Sequence, residues 1–163
     1  MKKLLAIAVL FTVLAASESF AQPANATATV SLTVNNALSL ATNRNMAFGV
    51  VVQGVTTATI NPITGGATAA MFTLGASATT PVTVTFSSTD LQSGVNTISF
   101  AGAGTLSGNS TNVQASSTNV TSGSTVTTSG TGAYFFWAGG TATLLATQPT
   151  GAYSGSFTIS VTY

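Results

Sequence analysis

SGSFTISVTY, residues 154–163, alternates between hydroxyl and apolar side chains and stops at an aromatic residue. Successive side chains of an extended chain point to opposite faces, so Phe157, Ile159, Val161 and Tyr163 share one side. Ser156, Thr158, Ser160 and Thr162 take the other. The stretch reads as a strand. Three architectures can end this way: an outer-membrane barrel, an ordinary sandwich, and a subunit whose last strand is an edge built to be joined by another chain.

At the other end, Lys2 and Lys3 precede LLAIAVLFTVLAA, an apolar run too short for a membrane anchor, and Ser19-Phe20-Ala21 fits small-x-small cleavage before Gln22. Residues 1–21 are therefore expected to be a signal peptide. Residues 22–34 are read as an N-terminal strand or donor extension and 35–163 as one β domain. The chain is expected to be exported, through the periplasm to the cell surface or beyond, with no membrane span kept after cleavage.

Without the signal, Arg44 and Asp90 are the only charged side chains left, and His and Cys are absent from the whole chain. No imidazole base, thiolate or amine nucleophile is present, and one Asp cannot form a carboxylate pair. The expectation is a protein that is not an enzyme and has no catalytic, cofactor-binding or metal site. One Arg is no basic patch, which argues against nucleic acid as a partner. Stability must come from packing and backbone pairing, since neither a disulfide nor a Lys–Asn cross-link can form. Arg44 and Asp90 are themselves read as solvated loop residues, with Asp90 bonding nearby backbone amides.

Beyond the signal no helical periodicity occurs; short alternating runs separated by Gly, Pro and Asn describe an all-β chain. ATATVSLTV places Ala26, Ala28, Val30, Leu32 and Val34 in one phase up to Asn35-Asn36. Strands are expected in ALSL, MAFGVVVQG, VTTATINP (ended by Pro62), AAMFTLGA, PVTVTFS, VNTISF and TATLL, with Gly49 as a bulge and Pro81 opening its strand. Residues 105–132, with fifteen Ser or Thr in twenty-eight, read as a surface loop or poorly packed edge strands. Tyr134, Phe135, Phe136 and Trp137 hold four of the eleven aromatics that follow the signal. They are read as a sandwich strand apolar on both faces, the alternative being an aromatic contact patch for a ligand such as a sugar.

NMAFGVVV and the closing GGTATLLATQPTGAYSGSFTISVTY resemble the exported bacterial family known as domain of unknown function 4402, over essentially all of the chain after the signal. More distantly the layout is similar to spore-coat-U-like domains and chaperone–usher pilins. That resemblance implies an immunoglobulin-like antiparallel β-sandwich, incomplete in itself and completed by an N-terminal donor strand from a neighbour. Carried over, Ala26, Ala28, Val30, Leu32 and Val34 are the donor positions, and Phe157, Ile159, Val161 and Tyr163 line the acceptor groove. The partners it implies are identical subunits, with a periplasmic chaperone and usher. The chain departs from many pilins in having no Cys at Ala37–Leu40, and the donor's leading positions are only Ala.

A sandwich normally guards its edges with Lys, inward charges and Pro, and this chain has almost no charge for the purpose. Its edges must be covered, either by its own chain or by a neighbour's. The leading expectation is a structural subunit, of a pilus, fimbria or coat, that assembles by strand addition. The alternatives are a self-contained carbohydrate- or partner-binding sandwich and, less favoured, a small outer-membrane barrel.

Overall fold

The computed structural model describes residues 26–102 and 105–163. The expected signal peptide and Gln22 to Asn25 lie outside these residues. The chain divides into two units, Met1–Thr33 and Val34–Tyr163. In the first, residues 26–33 carry no regular secondary structure and are exposed.

The regular structure of the second unit is almost entirely strand: β1 (Ser39–Arg44), β2 (Thr57–Ile60), β3 (Ala70–Gly75), β4 (Pro81–Ser88), β5 (Leu91–Ser93), β6 (Asn96–Ala101), β7 (Leu106–Asn109), β8 (Thr118–Val120), β9 (Ser124–Thr127), β10 (Ala133–Ala138), β11 (Gly140–Thr143) and β12 (Phe157–Thr162). They pair as three antiparallel sheets, ordered β1-β3-β10-β7-β8, β2-β11-β6-β5 and β12-β4-β9. Each has two edge strands and none closes on itself, so the described residues form no barrel. The molecule is an all-β sandwich.

Alternation builds the core. Phe72 and Leu74 of β3, Val82 and Val84 of β4, Leu106 of β7, Val120 of β8, Tyr134 and Phe136 of β10 and Ile159 of β12 form one buried cluster between the five-stranded and three-stranded sheets. The four-stranded sheet has its own buried residues, Ile60, Ile98, Phe100 and Ala142. Only Gly139 separates β10 from β11, so one run of chain serves two sheets. A Cβ at Gly139 would land on the Ile60 carbonyl oxygen and 2.9 Å from the Pro62 nitrogen, both backbone atoms that cannot rotate aside. Gly139→Ala is therefore expected to cost about 1–3 kcal/mol by forcing backbone apart, read as a lower melting temperature; unchanged stability would show that the strand crossing is looser than this.

Three sequence expectations need correction. MAFGVVVQG is not a strand: residues 45–52 are irregular. Gly49 turns the chain with φ +72°, and the ring of Phe48 packs edge-on against Phe100 at 5.8 Å, which directs the valines that follow outward. Residues 105–132 do supply two edge strands, β8 and β9, but the segment is not merely surface or poorly packed: Leu106 and Val120 reach the core, and Ser117 Oγ donates to Ser107 Oγ (2.9 Å) between two buried residues. Periodicity missed this because core positions there occur singly among hydroxyls. Arg44 is not a solvated loop residue; it ends β1, and its guanidinium donates to the carbonyls of Ala69 and Gly66, each at 2.8 Å. Asp90 does accept a backbone amide, that of Phe100, at 2.9 Å.

Candidate functional site

The C-terminal alternation forms β12, paired with β4 from Phe157↔Ser88 to Thr162↔Thr83. Which backbone groups that pairing uses follows from one hydrogen bond, Thr89 N–H to Ser156 C=O at 2.9 Å. In an antiparallel ladder such pairs recur every second residue, so Thr158, Ser160 and Thr162 turn their amides and carbonyls toward β4. Phe157, Ile159 and Val161 turn theirs away. Nothing among the described residues pairs with that outer edge. The residues whose side chains face the core are thus the ones whose backbone groups are left open.

The opposite sheet shows the same gap. Phe157 lies against Phe72 of β3, with ring centroids 6.3 Å apart, so β12 sits across from β3. β1 is the next strand outward from β3 and overhangs the edge of the three-stranded sheet. Leu40 of β1 pairs with Leu74 of β3 and so shares its core-facing side, yet Leu40 is 38 % exposed while Leu74 is 0 %. Leu38, Met46, Phe157 and Val161 are likewise only partly buried against the core. Two strand edges unpaired among the described residues, those of β1 and β12, and a row of half-covered apolar side chains therefore border one slot at the side of the core.

At one end of the slot the chain ties itself to its own terminus. Tyr163 Oη donates to the Asn36 carbonyl and accepts from Ser77 N–H at 3.1 Å, while Asn36 N–H donates to Ser77 Oγ at 2.6 Å. At the other end, around Phe157, lies a cavity of about 730 Å³ lined by Met46, Phe48, Leu91, Ile98, Phe100 and Tyr153 among others. Three of its polar side chains are tied together: Gln148 Nε2 donates to Tyr153 Oη at 3.0 Å, and Gln53 Nε2 donates to the Gln148 carbonyl at 3.1 Å.

Of the residues singled out in the sequence, Phe157, Ile159 and Val161 form one face of β12 as expected, and Tyr163 follows as the tie just described. Val30, Leu32 and Val34 are 93, 87 and 83 % exposed, and Ala26 and Ala28 are exposed too. The four aromatics of β10 do not make one exposed patch. Tyr134 and Phe136 are in the core, where burial pushes the Tyr134 phenol above its usual pKa. Trp137 is buried on the other face, on the side where Ser107, its register partner, meets Ser117. Only Phe135 is half-exposed. The overhang of β1 and the tie at Asn36 were not readable from the sequence, since both depend on partners far away in the chain.

No group of His, Cys, Asp or Glu able to hold a metal ion occurs among the described residues. No helix among them is long and apolar enough to cross a membrane. A search of curated proteins finds no match. The model of the family described as domain of unknown function (DUF4402) matches residues 38–163, from the residue before β1 to the end of β12, and the chain belongs to that family.

Proposed function

We propose that this is a non-enzymatic, exported structural subunit that joins to copies of itself by strand addition, the N-terminal segment of one copy filling the open slot of the next. The observation that carries the reading is the unpaired outer edge of β12. An open sheet edge is a template for another strand, and natural sheets guard against this with Lys, inward charge or a cover. β12 has none of these: its exposed residues are Thr158, Ser160 and Thr162, and the only Arg and Asp after the expected signal are bonded elsewhere.

The donor fits in kind. Val30, Leu32 and Val34 recur at the two-residue period of a strand, and three apolar side chains match the three core-facing positions Phe157, Ile159 and Val161. Each large side chain moved from solvent into the slot stabilises the assembly by about 1.5–3 kcal/mol, and the strand's amides find partners on β12. Pairing of this kind makes a polymer whose links are backbone hydrogen bonds backed by a packed core.

The test is the state of the purified chain beginning at Gln22. Filaments in negative-stain images, and ladders that survive SDS without heating, are the expected result. A thermally stable monomer at high concentration, with no affinity for a peptide of residues 22–36, would overturn the reading. A carbohydrate-binding role has less support, because burial removes three of the four aromatic residues on which it would rest.

A further inference from the structure

We propose that the apolar rim of the cavity at the Phe157 end of β12, made by Val50, Val52, Val55 and Leu145, is the face against which the body of the next copy seats, with the donated strand antiparallel to β12. This rests on strand addition between copies and specifies its polarity and its second contact. The starting observation is an exposed apolar surface with no occupant: Val50 is 97 % and Val52 71 % exposed, and Val55 and Leu145 are exposed as well. All four line the same cavity as Phe157. No charged side chain lines it. Apolar surface gathered at one place on a chain this poor in charge marks a contact.

The tie at the opposite end says what covers it. Asn36 is held to its own body by Tyr163 and Ser77, so only Asn35 separates that body from Val34, the last donor position. One residue spans about 3.3–3.6 Å. The body that donates a strand must therefore sit directly at the end of β12 where Val34 docks. If the strand runs antiparallel, Val34 meets Phe157, Leu32 meets Ile159 and Val30 meets Val161, and the donor's body lands on the valine rim. If it runs parallel, Val34 lies at the Tyr163 end. Two tied ends then face each other, each copy can fill the other's slot, and the result is a closed pair with the rim still bare. Antiparallel insertion alone buries the rim, and it joins unlike ends, Tyr163 to Val50, which propagates as an open fibre. Antiparallel pairing is also the slightly more stable of the two.

The test uses the chain from Gln22 onward. Val50→Asp with Val52→Asp changes two exposed side chains, and such changes leave folding stability within about 0.5 kcal/mol. The double variant should need at least a tenfold higher concentration to form filaments, while binding a peptide of residues 22–36 as the parent does. Because the chain has no Cys, single Cys variants report the geometry. Val52→Cys mixed with Asn35→Cys should give mixed disulfides, and Asn35→Cys alone should give few. Polymerisation of the Asp variant at the parent's concentration, or Asn35→Cys dimers in place of mixed ones, would overturn this inference while leaving strand addition intact. A parent chain that neither polymerises nor binds the peptide would overturn both.

Discussion

Replacing Phe136 with alanine should remove about 3–5 kcal/mol of folding stability, the cost of emptying a fully buried aromatic site. Phe136 is 0 % exposed, lies opposite Phe72 in the ladder and packs against Tyr134 with ring centroids 4.9 Å apart. It belongs to the buried cluster to which strands of both the five-stranded and the three-stranded sheet contribute, so the cavity closes only at the expense of that shared packing. Domains are stable by only about 5–15 kcal/mol, so the variant should unfold well below the parent's midpoint in urea. The buried Trp137, the chain's only tryptophan, gives the fluorescence signal. Phe135→Ala, at a half-exposed position on the opposite face, is the control and should cost clearly less. Equal losses from the two would mean that the face assignment of β10 is wrong.

That pair also shows how far the sequence could be read. AYFFWA is apolar throughout, so alternation could not say which aromatic faces the core; the burial of both faces follows from distant segments, such as 114–117 above Ser107, that no local pattern announces. Where one side of a strand is polar, the reading held: PVTVTFS and SFTISVTY became β4 and β12 with the expected faces, and Pro81 opens β4 where its missing amide is tolerated. Local preference failed at MAFGVVVQG, since a run of valines favours a strand but Gly49 at φ +72° and the Phe48–Phe100 contact turn it into an outward loop. The candidate site was half legible. Its wall, Phe157 to Val161, lies in one alternating stretch, whereas the gap beside it is defined by what β1 and β4 do, and a gap has no residues of its own to be read.

Deleting residues 22–34 should abolish assembly without unfolding the domain. Every residue of the core cluster lies between Ala70 and Ile159, and β1 begins only at Ser39, so the sandwich keeps its packing when the segment is gone. What it loses is the donor, and with it the cover that each slot would take from a neighbour. The shortened chain is expected to be a monomer, Trp137 still buried, with the outer edge of β12 open. Adding a peptide of residues 22–36 should then restore the missing strand in each molecule without linking molecules together. A ligand that binds only the folded state stabilises it by about 2.7 kcal/mol at a hundredfold excess over its Kd. At roughly 3–5 °C per kcal/mol for a domain of this size, that is a rise of about 10 °C in melting temperature. A peptide with Val30, Leu32 and Val34 changed to Ser keeps the backbone donors and acceptors but loses the side chains that fill the slot. Its effect should fall to a small fraction of the parent peptide's. The two peptides therefore separate pairing from packing. If the shortened chain still forms filaments, the donor lies elsewhere in the chain. If it is monomeric but neither peptide changes its melting, the edge of β12 is not where the segment acts, and the three exposed residues need another explanation.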